Sequence, residues 1–147
     1  MLLAIGLAAN AFLAAFGGSW ACSLHAPGMR GAAVSHWSIA PAPASRWSVV
    51  RWSGGRESGT AYIGYLAPDK VWTYEDFHDD GSFGTNTSPG PQGGNWTWSG
   101  SFTSRERVLH GSIVWSRPAP GTLRMGFGRL VGTSFRESAY STCRPST

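Results

Sequence analysis

The densest group of chemically competent side chains is Tyr74-Glu75-Asp76-Phe77-His78-Asp79-Asp80. On a strand alternate residues share a face, so Trp72, Tyr74, Asp76 and His78 project together. An Asp–His pair held inside a fold can carry a proton or supply half of a metal site. Two side chains are too few for either task alone, and the competing reading is a set of acids solvated on the approach to the Asp79-Asp80-Gly81 turn. Nucleophilic catalysis finds no Gly-x-Ser-x-Gly elbow to work with. His25, His36, His78 and His110 lack metal-ligand spacing, and there is no Cys-x-x-Cys. Hence no metal and no cofactor is expected, and His110 reads as an ordinary edge or surface residue.

Two other groups suit binding better than catalysis. The run from Phe83 to Gly90 is small, hydroxyl-rich and flanked by glycine, as pocket-mouth loops are, and Asn86 can both donate and accept hydrogen bonds there; turn chemistry alone would explain the same composition. Eight Trp residues invite stacking on sugar rings, yet most alternate with small polar residues, which favours core positions. If Trp47 faces inward, Trp52 faces outward beside Ser53-Gly54-Gly55 and becomes the best exposed platform. In the segment from Asn95 to Phe102 the aromatics Trp96, Trp98 and Phe102 share one face and should line the interior. Leu123, Met125, Phe127 and Val131 point inward by the same argument, and Arg129 goes with them. A charge placed there must be paired or solvated.

The elements that must position these residues are short strands. From residue 31 onward the apolar pattern has a period near two, punctuated by Gly, Pro, Asn or Asp clusters roughly every eight to twelve residues. Strands are expected at 18–25, 32–40, 45–53, 59–66, 70–78, 82–87, 94–102, 106–116, 121–131 and 134–143. The one helical candidate is 10–16, with Asn10 as N-cap and Gly17 or Gly18 as the stop. At 147 residues the chain suits a single all-β domain, an antiparallel barrel or sandwich.

The first nine residues, Met-Leu-Leu-Ala-Ile-Gly-Leu-Ala-Ala, look like part of a secretory signal without its basic start. Cleavage after Ala9 would leave the helix in the domain, which then spans 10–147; Gly17 and Ala21 are other plausible points. A membrane-spanning helix is not expected, because Asn10 and Gly17-Gly18 interrupt an apolar stretch that would need about 20 residues. Stable membrane insertion after signal removal is therefore not expected either. Cys22 and Cys143 are the only cysteines; in an exported chain the pair invites a disulfide that makes the first and last strands neighbours, the alternative being two buried free thiols. Eleven of the twelve basic residues are Arg, spread singly along the chain rather than clustered, so the net charge of +4 does not point to nucleic acid.

Gly18-Ser19-Trp20 resembles the opening signature of lipocalin-like barrels. With Phe12-Leu13-Ala14-Ala15-Phe16, Cys22, Trp96-Thr97-Trp98 and the terminal Thr142-Cys143-Arg144, the chain resembles, over most of 10–144, the small bacterial exported lipocalin-like proteins of uncharacterised function. The resemblance implies an up-and-down barrel of about eight to ten strands with a short N-terminal helix, in a secreted or periplasmic protein. It also implies that Trp20 closes one end of the barrel beneath a stacked Arg, with Arg144 in the matching position and Arg136 in reserve.

The leading expectation is a non-enzymatic carrier of a small, partly apolar molecule, with Trp96, Trp98, Met125 and Phe127 as the apolar wall and Arg129, His78 and Asn86 as orienting groups. An enzyme would instead need Asp76 and His78 to converge inside the barrel with a third polar partner. A third possibility is a barrel filled by its own Trp residues, which leaves function to the outer surface. Oligomeric state cannot be read from the chain.

Overall fold

The computed structural model describes residues 11–43, 46–55 and 57–147. The leader expected at 1–9 and the Asn10 cap lie outside them. A helix, α1, spans 11–16. Eleven strands follow: β1 (Gly18–His25), β2 (Ala33–Pro41), β3 (Ser48–Ser53), β4 (Gly59–Leu66), β5 (Val71–His78), β6 (Phe83–Ser88), β7 (Pro91–Gln92), β8 (Asn95–Thr103), β9 (Val108–Ser116), β10 (Leu123–Val131) and β11 (Ser134–Pro145). Consecutive strands pair antiparallel except β6 and β7, β6 pairs instead with β8, and β1 pairs with β11. The sheet thereby closes on itself as a ten-stranded barrel, with β7 attached outside the ring as a two-residue extension of the β8 edge. An even number of ring strands is what lets the first and last meet antiparallel.

The closing seam carries the disulfide. Cys22 and Cys143 sit directly opposite one another on β1 and β11, with Cα atoms 4.0 Å apart and both residues fully buried.

One end of the barrel is plugged. Phe12 and Phe16 lie four residues apart on α1, so both project to one side of the helix, and their rings pack against Trp96 at 5.5 and 6.1 Å and against Trp115 at 5.4 Å each. A helix this short has little stability of its own. It is held by tertiary contacts instead: Trp20 Nε1 donates to Phe16 O at 3.0 Å, and Arg117 Nη1 donates to Ala15 O at 2.8 Å. Gly17 ends the helix where any Cβ would come within 2.6 Å of Leu13 O.

The cation over Trp20 is Arg117, its guanidinium 5.0 Å from the ring centroid. This corrects the expectation for Arg144. Arg144 stands opposite Ala21, on the outward side of the seam, while Trp20 and Cys22 point in; it hydrogen-bonds Thr122 Oγ1 instead. Arg136, the reserve, lies at the far end of β11.

Candidate ligand-binding site

The barrel is filled at the helix end and open at the other. Trp96, Trp98 and Met125 are all within the filled half, at 2%, 0% and 0% exposure, and form a buried floor. The Phe12 ring of α1 packs edge-on against both indoles, at 5.5 Å from Trp96 and 6.1 Å from Trp98. Above this floor the wall changes character. Trp37 and Trp52 stack at 5.2 Å and 20°, and Trp37 meets the floor edge-on at Trp115, 6.3 Å away.

The parity of β3 puts Ser48, Val50 and Trp52 inside and Arg51 outside, so Trp52 is an interior residue and not an outward platform. Trp47 has the opposite parity, and its ring lies so close to Gly64 that a Cβ there would come within 2.7 Å of it.

Two of the clefts in this upper half meet at Phe127. The first, of about 730 Å³, is the barrel mouth, walled by Leu24, Ser35, Trp37, Trp52, Phe127 and Ser141 beneath the β1–β2 loop. The second, of about 540 Å³, reaches inward to Asp76, Asn86, Gly100 and Phe102 and outward to His110, Arg129 and Arg136. Its origin is a gap in the wall. β9 and β10 pair only from Ser116↔Arg124 to Ser112↔Gly128, so Val108–Gly111 and Arg129–Val131 have no ladder between them. The break coincides with a register irregularity at Phe127/Gly128, where a side chain on Gly128 would come within 2.0 Å of Arg136 O. Phe127 lines both clefts and joins them.

β6 alternates strictly between exposed and buried residues, but its buried face is the small and polar one. Its buried residues are Gly84, Asn86 and Ser88, while Phe83 is 44% exposed. The reason lies across the barrel wall. The Asp76 carboxylate occupies the space a Gly84 side chain would need, and the Asn86 side chain and neighbouring backbone occupy that of Gly100. Room is thus kept for two polar side chains in an otherwise aromatic chamber.

Asp76 and His78 converge as an interior pair. His78 Nε2 lies 2.9 Å from Asp76 Oδ1, and His78 Nδ1 lies 3.1 Å from Glu57 Oε2. The ring is wedged edge-on between Trp52 and Phe102, 5.1 Å from each. Burial of the ring works against its charge, but hydrogen bonds to Asp76 and Glu57 and the charges of both carboxylates outweigh it and push the His78 pKa up to about 9. At neutral pH the ring is an imidazolium donating from both nitrogens. Burial, with the nearby Asp76 charge, raises the Tyr74 hydroxyl well above its ordinary range and keeps it neutral.

Because the folded pKa exceeds the ordinary 6.5, this triad stabilises the fold fully below pH 6.5, and that contribution is lost as pH rises through about 9. We expect a loss on the order of 1–3 kcal/mol, discounted because Glu57 is largely exposed. Urea unfolding at pH 6 and pH 10, in wild type and in Asp76→Asn, checks this. A pH dependence unchanged by the substitution would remove the triad as its source.

Arg129, expected inward, is exposed at the outer lip of the second cleft, and Val131 is 44% exposed. Both lie past the end of the β9–β10 ladder, which stops at Ser112↔Gly128, so no neighbouring strand covers them on that side; the extra residue of the β10–β11 bulge, Ser138, belongs to β11. Asn86 is 7% exposed in the cleft interior, with no side-chain hydrogen bond among the described residues. Of the groups anticipated from sequence, Phe127, Asn86 and Arg129 line the second cleft, while His78 touches the chamber wall through Trp52 and Phe102. Trp37, Leu24, Ser35, Ser141 and Arg136 escaped sequence reading because their inward or cleft-facing placement depends on register and on the β9–β10 gap.

Among the described residues no group of three or more His, Cys, Asp or Glu side chains could hold a metal ion. No protein family matches the chain, and no curated protein does. The fold and the site define a closed ten-stranded antiparallel barrel, plugged at one end and hollow at the other.

Proposed function

We propose that the protein is an exported, lipocalin-like, non-enzymatic carrier of a small and partly apolar molecule held in the open half of the barrel. The observation that carries this reading is the pair of joined clefts of about 730 and 540 Å³, each within the size of small-molecule pockets. Aromatic and aliphatic side chains, Trp37, Trp52, Phe102, Ile113 and Phe127 among them, alternate in their walls with polar and charged groups, of which Asn86, Ser35 and Ser141 could orient a guest. The disulfide is consistent with an oxidising compartment.

The rival enzymatic reading has its third polar partner in Glu57. It is disfavoured by the same contacts, since both His78 nitrogens are bonded to carboxylates and neither is free to take a proton from a substrate.

The neutral fluorophore N-phenyl-1-naphthylamine should bind saturably, one molecule per chain, with energy transfer from Trp37 and Trp52. Phe127→Ala should weaken it about tenfold, since the ring contributes wall to both clefts. Non-saturable partitioning, or affinity unchanged by Phe127→Ala, would remove the chamber as the binding site.

A further inference from the structure

Arg129 and Arg136 are direct register partners across β10 and β11 and therefore share a face of that hairpin. Like charges placed opposite one another on a sheet destabilise it. Among the described residues neither forms an ion pair or a side-chain hydrogen bond. The nearest acid, Glu137, is already engaged by Arg124 through two bonds of 2.7 and 2.6 Å. Both guanidinium groups border the gap between β9 and β10, at the outer end of a cleft whose inner wall is Phe102, Ile113 and Phe127. The arrangement is graded: cations at the lip, apolar surface within, and the Asp76 carboxylate deepest.

We propose that the gap between β9 and β10 is a side port for an amphipathic anion, whose acidic head pairs with Arg129 and Arg136 while its apolar part enters against Phe127. This deepens the carrier reading above and rests on it. A planar guanidinium pair suits the two oxygens of a carboxylate, or those of a sulfate or phosphate monoester. The reverse orientation would place an anionic head beside Asp76, whose carboxylate His78 already engages, and leave both guanidinium groups at the lip without a partner. Removing the pair costs the fold nothing, since it relieves repulsion and breaks no bond that the structure contains.

The test uses the full chain and two probes of equal length, a dansyl-tagged eleven-carbon carboxylate and the corresponding primary alcohol. Wild type should bind the carboxylate about tenfold more tightly than the alcohol at low salt, and the preference should shrink at about 0.5 M salt, as expected for exposed charges. In R129Q/R136Q the preference should fall to within about twofold, with alcohol affinity and melting temperature no lower than in wild type. Equal affinity of wild type for the two probes overturns the port while leaving the carrier intact. A preference that survives the double substitution overturns the role of the Arg pair. If neither probe binds, the carrier reading falls and the port with it.

Discussion

Phe12→Ala should lower the unfolding free energy by about 3–5 kcal/mol, the upper range for truncating a buried aromatic. Phe12 has no exposed surface, and its ring contacts Phe16, Trp96, Trp98 and Trp115 at 5.1 to 6.1 Å. Removing it leaves a void that the surrounding indoles cannot close, because each is fixed by its own strand. The loss extends beyond one side chain. A six-residue helix cannot persist undocked, so weakening the Phe12 anchor puts the Phe16, Trp20 and Arg117 contacts of the plug at risk together. Urea unfolding followed by Trp emission reads both effects, and the folded variant should emit at longer wavelength as water reaches the floor of the barrel. A loss under about 1 kcal/mol with unchanged emission would mean that the plug contributes little to the core.

The second large effect is expected at the seam. Replacing Cys22 and Cys143 together by serine should cost about 4–5 kcal/mol, because the bridge joins residues 121 apart and so restricts nearly the whole unfolded chain. The double variant is the proper comparison, since a single substitution leaves a buried thiol facing a new hydroxyl. The native ladder between β1 and β11 runs from Trp20↔Pro145 to His25↔Tyr140 and survives the change, so the barrel should still form, with a melting temperature lower by about 10 °C or more. A decrease within a few degrees of zero would show that Trp20 packing and the ladder hold the seam by themselves.

The residues that define the chamber were only partly legible in the chain. Strand existence followed from alternation, and all ten expected segments correspond to ring strands; the eleventh, Pro91–Gln92, is too short to carry a periodic signal. The shared face of Trp72, Tyr74 and Asp76 followed from the same rule, and the three are buried together. Alternation misleads at β6, where the apolar Phe83 faces out and Gly84, Asn86 and Ser88 face in. There the deciding factor is the space taken by Asp76, supplied by a neighbouring strand. It falls short again after Phe127, since the β9–β10 ladder ends at Gly128 and leaves Arg129, Leu130 and Val131 exposed alike. Trp47 and Trp52 show that parity separates two positions without saying which of them is inside.

By itself the sequence determined the all-β class of fold, the strand segments, the short helix and the meeting of the first and last strands at Cys22 and Cys143. These depend on local periodicity, turn residues and chain-end chemistry, which neighbours in sequence carry. Only the tertiary structure decided which half of the barrel is filled. The Trp residues alone are compatible with a solid core or a hollow one, and the outcome depends on where α1 inserts Phe12 and Phe16. The second cleft was equally out of reach, because it arises where two strands stop pairing. An absent ladder is a relation between distant segments and leaves no mark on either one.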